Sequence, residues 1–249
     1  LVQPNAGLPV MEGGATRYDI TPEEFAACVK NFVGEGVRFV GGCCGTTPEY
    51  IKLTKSMING LAPVKTVVAP RGGICSPSRQ ARFERVTVIG ERLNPTGKKA
   101  LQAALRAHDM DFVLREAIRE KEQGAEVLDI NMGLPDIDEP AMLAEAVREI
   151  QAVTDLPLQL DSASPAALER AARIYNGKPL LNSVNGKKES LDAVLPIAKK
   201  YGCAVLGLTL DENGIPKDAE ARLAIARRIV AAAEAAGLRR EDIFIDCLM

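Results

Sequence analysis

From residue 85 onward, short apolar runs and amphipathic stretches take turns to the end of the chain. Strand-like runs stand at 86–93, 127–132, 156–160, 179–184, 204–210 and 243–248. Helical periodicity fills 111–123, 139–153, 165–176, 188–201 and 218–236. The helix at 139–153 places Met142, Ala146, Ile150 and Val153 on one side, and that at 218–236 places Leu223, Ala226, Val230 and Ala233 together. Gly124, Gly177, Gly202 and Gly237 follow helices, where a left-handed residue stops them. A helix that returns the chain to the same end of each strand requires a parallel sheet. About six βα units with no closing element read as an incomplete (β/α)8 barrel of the TIM type. An open doubly wound sheet is the alternative, weakened because no Gly-x-Gly-x-x-Gly follows the first strand.

The preceding residues follow a different plan. Thr21, Pro22 and Glu24 form a helix start with a capping box, and Phe25, Cys28, Val29 and Phe32 give a helix at 21–33 a buried stripe. A short strand at 37–40 leads into Gly41-Gly42-Cys43-Cys44-Gly45-Thr46-Thr47-Pro48. A second helix follows, with Ile51, Thr54 and Ile58 on one face and Gly60 as its stop. Proline and glycine then break any period, so 63–84 reads as a linker with one extended piece at 64–68. The expected domains are 1–62 and 85–249.

Each strand candidate of the second domain closes on acids or amides. These are Glu91 and Asn94, Asp129 and Asn131, Asp161-Ser162, Asn182 and Asn185, Asp211, and Asp246. In a barrel the strand ends meet on one rim. A carboxylate accepts two donors at once, and an amide offers a donor and an acceptor. That set suits a flat, nitrogen-rich ligand such as a pterin. Oxygen ligands would also suit Mg²⁺ or Ca²⁺, and the same residue types serve as caps and turn formers.

Composition narrows the function classes. Net charge is −2 and no basic tract interleaves with aromatics, so nucleic acid is not an expected partner. No apolar run approaches the roughly 20 residues that span a bilayer, and no secretory signal is visible. Six cysteines without a disulfide framework point to a reducing, cytoplasmic compartment. His108 is the single histidine, placed on a solvated loop, which removes Ser-His-Asp triads. Adjacent Cys43 and Cys44 in a glycine-rich turn read either as small buried residues or as metal ligands, with a vicinal disulfide as a third option. Cys28 is expected in the core. Cys75, Cys203 and Cys247 have no assigned role.

The run Val88-Ile89-Gly90-Glu91-Arg92-Leu93-Asn94, with Leu128-Asp129-Ile130-Asn131-Met132-Gly133, Leu160-Asp161-Ser162, Leu181-Asn182-Ser183-Val184-Asn185, Gly207-Leu208-Thr209-Leu210-Asp211 and Ile245-Asp246-Cys247-Leu248, resembles the pterin-binding barrel of cobalamin-dependent methionine synthases. Pro4-Asn5-Ala6-Gly7-Leu8-Pro9 and the segment from Gly41 to Pro48 resemble the end of that family's homocysteine-binding barrel. Corrinoid-protein methyltransferases of acetogens have a similar second barrel, and dihydropteroate synthases are more distant. The resemblance implies methyl transfer from 5-methyltetrahydrofolate via cobalamin to homocysteine. It implies that Asp161, Asn182 and Asp246 hydrogen-bond the pterin, with Glu91, Asn94, Asp129, Asn131 and Asn185 lining the pocket. It makes Cys43 and Cys44 two of three zinc thiolates, the third lying upstream of Leu1. The family's asparagine for protonating the pterin N5, its last two barrel strands and its cobalamin-binding domain would lie beyond Met249. A non-catalytic module binding a pterin or a corrinoid protein, or a dihydropteroate synthase-like enzyme, is the alternative.

Overall fold

A capping box opens the first helix of the structure, a computed structural model that describes residues 1–62, 64 and 72–248. The chain divides into two units, Leu1–Ala69 and Pro70–Met249. In the first, β1 (Pro9–Glu12) and β2 (Ala15–Tyr18) form an antiparallel hairpin. Helices α1 (Pro22–Gly34) and α2 (Pro48–Ile58) pack on each other. Thr21 Oγ1 accepts the Glu24 N–H at 3.3 Å, and Glu24 Oε2 accepts the Thr21 N–H at 2.9 Å. Phe25 meets Tyr50 edge-on at 5.5 Å. The buried side of α1 is Phe25, Ala26 and Val29. Cys28, expected in the core, is exposed, and so is Phe32, because the contact with α2 runs through Phe25, Ala26 and Val29 instead. On α2, Thr54 is buried while Ile51 is exposed. The strand expected at 37–40 shrinks to one parallel bridge between Val40 and Val2, flanked by Val2 N–H to Phe39 O (2.9 Å) and Gly41 N–H to Val2 O (3.0 Å).

The second unit begins with a small hairpin, β3 (Ile74–Cys75) and β4 (Gln80–Ala81). Next come β5 (Ile89–Leu93), α3 (Lys99–Arg106), α4 (Met110–Glu122), β6 (Val127–Asn131), α5 (Glu139–Val153) and β7 (Leu158–Asp161). The chain continues through α6 (Pro165–Ile174), β8 (Leu180–Asn185), α7 (Lys188–Tyr201), β9 (Ala204–Leu208), α8 (Ala219–Ala235) and β10 (Ile243–Asp246). Strands β5 to β10 lie side by side in chain order, all parallel, which is the wall of a barrel with β5 and β10 as edges. The (β/α)8-type reading therefore holds, with six parallel strands among the described residues.

The outer face of this wall carries Leu93, Leu128, Ile130, Leu158, Leu160, Leu181, Val184 and Val205, buried against the helices. At the N-terminal ends of the strands, the inner face carries Val127, Leu180, Ala204, Leu206 and Phe244. Ile74, Ala81 and Phe83 pack onto that layer. Residues 72–84 are thus no linker: their hairpin plugs the floor of the barrel, tied by Cys75 to Lys178 backbone bonds and by Tyr175 Oη donating to Cys75 O at 3.0 Å. Apolar burial decides this, since Ile74 has no exposed surface. The extended piece expected at 64–68 lies, apart from Val64, outside the described residues.

Two further differences concern helices. α3 was not expected: it is only eight residues long, although its apolar side is sharply marked, with Leu101, Ala104 and Leu105 buried. α8 buries Ile225, Ile229 and Ala233 and leaves Leu223 half exposed. With alanine on every side of Ala-Glu-Ala-Arg-Leu-Ala-Ile-Ala-Arg-Arg-Ile-Val-Ala-Ala-Ala-Glu-Ala, the apolar pattern is nearly continuous and does not fix the rotation. Among the described residues no helix is long and apolar enough to cross a membrane.

Candidate functional site

Above the apolar floor, the inner face turns polar. Strand register sets Asp129 beside Gln159, and one layer higher it sets Asn131, Asp161 and Asn182 side by side. Period-two alternation carries each strand from apolar to polar on the same face: Val127 to Asp129 to Asn131, Leu180 to Asn182, and Phe244 to Asp246.

Asp161 is the hub. Its Oδ2 accepts from Asn131 Nδ2 at 2.9 Å and from Asn94 Nδ2 at 3.3 Å. Both amides are oriented by their own backbone: Gly133 N–H donates to Asn131 Oδ1 (2.8 Å) and Thr96 N–H to Asn94 Oδ1 (3.0 Å). Among the described residues no hydrogen bond is made to Asp161 Oδ1. Burial pushes the Asp161 carboxyl above the usual range, although Asn131 opposes the shift.

Asp129 lies deeper, 3% exposed. Its Oδ1 accepts from Gln159 Nε2 at 2.5 Å. Burial, followed by the neighbouring Asp161 charge, raises its carboxyl to about 7. Gln159 is buried too, and its Oε1 has no hydrogen-bond partner among the described residues. The sequence reading missed Gln159, although it stands two residues before Asp161 and so shares its face. Ser162 Oγ bonds Glu139 closely, and also accepts the Ser164 N–H at 2.9 Å, fixing the loop after β7.

Two register shifts complete the inner face. On β5, Glu91 and Arg92 together oppose Asp129, so Leu93 points outward and Asn94 returns inward. On β8, Ser183 is the extra residue: Asn182 pairs Leu206, Val184 pairs Gly207 and Asn185 pairs Leu208. Glu91 is near enough to raise both Asp129 and Asp161 electrostatically. It also meets Lys98 Nζ at 3.4 Å.

Asn185 and Asp246 flank Leu208 in register, on the far side of the rim. Their acceptors serve local turns: Asn185 Oδ1 takes the Lys187 N–H at 2.9 Å and Asp246 Oδ1 the Leu248 N–H at 2.8 Å. No hydrogen bond among the described residues joins either to Asp161. Asp211 is paired with Arg228 at 3.1 Å. His108 is exposed, 3.1 Å from Glu145, as expected of a loop residue.

In the first unit, the glycine-rich turn holds two free, exposed thiols, Cys43 and Cys44, with sulfurs 3.8 Å apart. A disulfide needs about 2 Å, whereas two thiolates on one tetrahedral zinc at about 2.3 Å lie roughly 3.8 Å apart. The turn is laced to the N-terminal segment: Cys43 N–H to Pro4 O (3.0 Å), Ala6 N–H to Cys44 O (2.9 Å) and Cys44 N–H to Asn5 Oδ1 (3.2 Å). Among the described residues no cluster of three or more His, Cys, Asp or Glu is arranged to hold a metal.

The family model for pterin binding enzymes matches residues 90–249. The chain belongs to the pterin-binding enzyme family. All eight candidate rim residues fall within the pterin-binding match. Residues 1–58, with both adjacent cysteines, match the homocysteine S-methyltransferase model. The chain is 31% identical over 238 residues to a methionine synthase of Mycobacterium tuberculosis, covering 92% of this chain and 20% of that protein. It is 29% identical over 265 residues to the methionine synthase of Mycobacterium leprae, covering 99% and 22%. It therefore spans about a fifth of the length of these relatives. Among solved structures, a Yersinia pestis dihydropteroate synthase with a pterine–sulfa conjugate superposes with a TM-score of 0.53 at 20% identity, over 70% of this chain and 63% of that one. A Xanthomonas albilineans dihydropteroate synthase with 4-aminobenzoic acid gives 0.52 at 20% identity, over 71% and 66%. These show the barrel fold.

Proposed function

We propose that residues 85–249 bind the pterin of 5-methyltetrahydrofolate and that residues 1–62 are the C-terminal part of a homocysteine-binding barrel. Together they serve methyl transfer from the folate, via a cobalamin-carrying domain, to homocysteine in the cytoplasm. The observation that carries the proposal is the Asp161 hub. A carboxylate with one oxygen held by two oriented amides, and the other without a hydrogen bond among the described residues, matches a ring edge rich in N–H donors. Asp129, Asn131 and Asn182 add an acid and two amides on the same face, and Asn185 and Asp246 continue the rim toward the edge strand β10. The pterin N5 leaves poorly as an anion, so a network of buried acids and amides is suited to hold a proton near it. The homocysteine methyltransferase match to residues 1–58 favours methyl transfer over dihydropteroate synthesis, which gives that segment no task.

Cys43 and Cys44 would hold zinc together with a third ligand not among the described residues. Bound zinc would lower the pKa of a coordinated thiol, so that homocysteine is presented as thiolate at neutral pH. Isothermal titration of 5-methyltetrahydrofolate into the chain and its Asp161→Ala variant tests the pterin reading. Loss of roughly tenfold in affinity is expected from removing a charged acceptor. Equal affinity in the two proteins would refute the assignment.

A further inference from the structure

The extra residue in β5 creates a difficulty that a residue outside the barrel resolves. Glu91 and Asn94 are three apart, and regular alternation would send them to opposite faces. The bulge restores both to the inner face, but it takes the Arg92 N–H out of the strand ladder. That N–H donates to Glu120 Oε1 at 2.6 Å. Glu120 stands on α4, behind the sheet, and is 3% exposed. Its second oxygen has no hydrogen-bond partner among the described residues. Burial pushes its carboxyl up, against the lowering effect of Arg92. A buried acid with one bond to backbone and no buried cation of its own is costly in a helix that packs on a strand.

The surroundings are shaped to admit it. A side chain on Gly90 would place its first carbon 2.7 Å from Glu120 Oε1 and 3.1 Å from Ala125 Cβ. Gly90 therefore leaves room for the carboxylate to reach past β5's backbone. The Arg92 side chain points away from the barrel, bonded through Nε to Glu116 Oε2 at 2.7 Å. Two glutamates one helical turn apart thus grip the amide and the guanidinium of the same bulge residue.

We propose that Glu120, admitted by Gly90, is a positioning residue for the pterin site: it pins the Arg92 bulge and so aims Glu91 and Asn94 at the ligand. The inference rests on the pterin reading for its ligand only. It touches no reacting group; it acts through the Asn94 to Asp161 bond.

The test uses the whole chain, with Glu120→Met, Glu120→Gln and Gly90→Ala, each also in an Asn94→Ala background. The readouts are 5-methyltetrahydrofolate affinity and hydrogen exchange at the Arg92 amide. Met removes the acceptor, so affinity should fall roughly tenfold and exchange should accelerate. Gln keeps an acceptor and should restore affinity to within about twofold. In the Asn94→Ala background, Glu120→Met should cost less than in the parent, because the group it aims is already gone. A full, additive loss there would mean a merely structural role and would overturn the proposal, as would wild-type affinity in Glu120→Met. Should Glu120→Met not fold, Gly90→Ala carries the same coupling test, since it displaces the carboxylate. If the parent chain binds no folate, the pterin reading falls. Arg92 exchange then decides the positioning claim alone: faster in Met but not in Gln supports it, and no change refutes it.

Discussion

Asp129 is the residue whose chemistry depends most on where the fold puts it. Its carboxyl, raised to about 7 by burial, holds a proton in the folded chain that the unfolded chain has already released above the ordinary carboxylate range. Between that range and about pH 7 the folded state binds more protons, so this stabilisation is present at low pH and lost as pH rises through about 7. Asp129→Asn keeps an acceptor for Gln159 and cannot ionise. Urea unfolding at pH 5 and pH 8 should show the wild type losing on the order of a few kcal/mol relative to Asp129→Asn at the higher pH. Parallel pH profiles would rule this out. At Cys43 and Cys44, two thiols at zinc-like separation but without a third ligand among the described residues predict weak zinc binding by this chain. X-ray absorption showing a tight three-sulfur site would contradict it. The strand-end positions of the rim acids and amides were legible, because Asp129 and Asn131 obey strand alternation and the others follow apolar runs, but the facing of Asn94 and Asn185 depends on register shifts. Gln159 was not legible, since a lone glutamine inside Leu158-Gln159-Leu160-Asp161 looks like the solvent side of a half-buried strand.

Elements were legible to the degree that their patterns were unambiguous. The six strands and the helices α5, α6 and α7 follow from apolar runs and caps. The rotation of α8 does not, because alanine leaves its faces alike. Nor does period two reveal bulges, although both bulges in the wall produce the same result, an i, i+3 pair of polar residues facing inward: Glu91 with Asn94, and Asn182 with Asn185. The cysteine turn makes a comparable demand on glycine. Gly45 has φ +81, and a side chain there would run into the ring of Tyr18. A Gly45→Ala change should destabilise the first unit by about 1–3 kcal/mol, from left-handed strain and the clash together. The measurement is the thermal transition of that unit, followed through the exchange of α1 amides; an unchanged transition would show that the turn relaxes freely.

At the scale of the second unit, the barrel wall runs from a sealed apolar floor to a polar rim. The linker expected at 63–84 concealed the seal, since its proline and glycine content reads as flexible chain, and only tertiary contact shows that Ile74 is buried. Ile74→Ala should cost about 2–5 kcal/mol in urea unfolding of this unit, as for other large-to-small core changes. A cost under half of the lower figure would mean the hairpin is dispensable. The floor plug also has a temporal meaning. Ile74 and Ala81 rest on Val127, Leu180 and Ala204, which come together only after three separate βα units have assembled, and Cys75 pairs with Lys178 across a long stretch of chain. Such a contact closes late, since the loop it completes must be ordered first. Changes in the hairpin should therefore quicken unfolding while leaving the refolding rate almost unaltered. The segment earliest in the sequence of its unit would be among the last to settle.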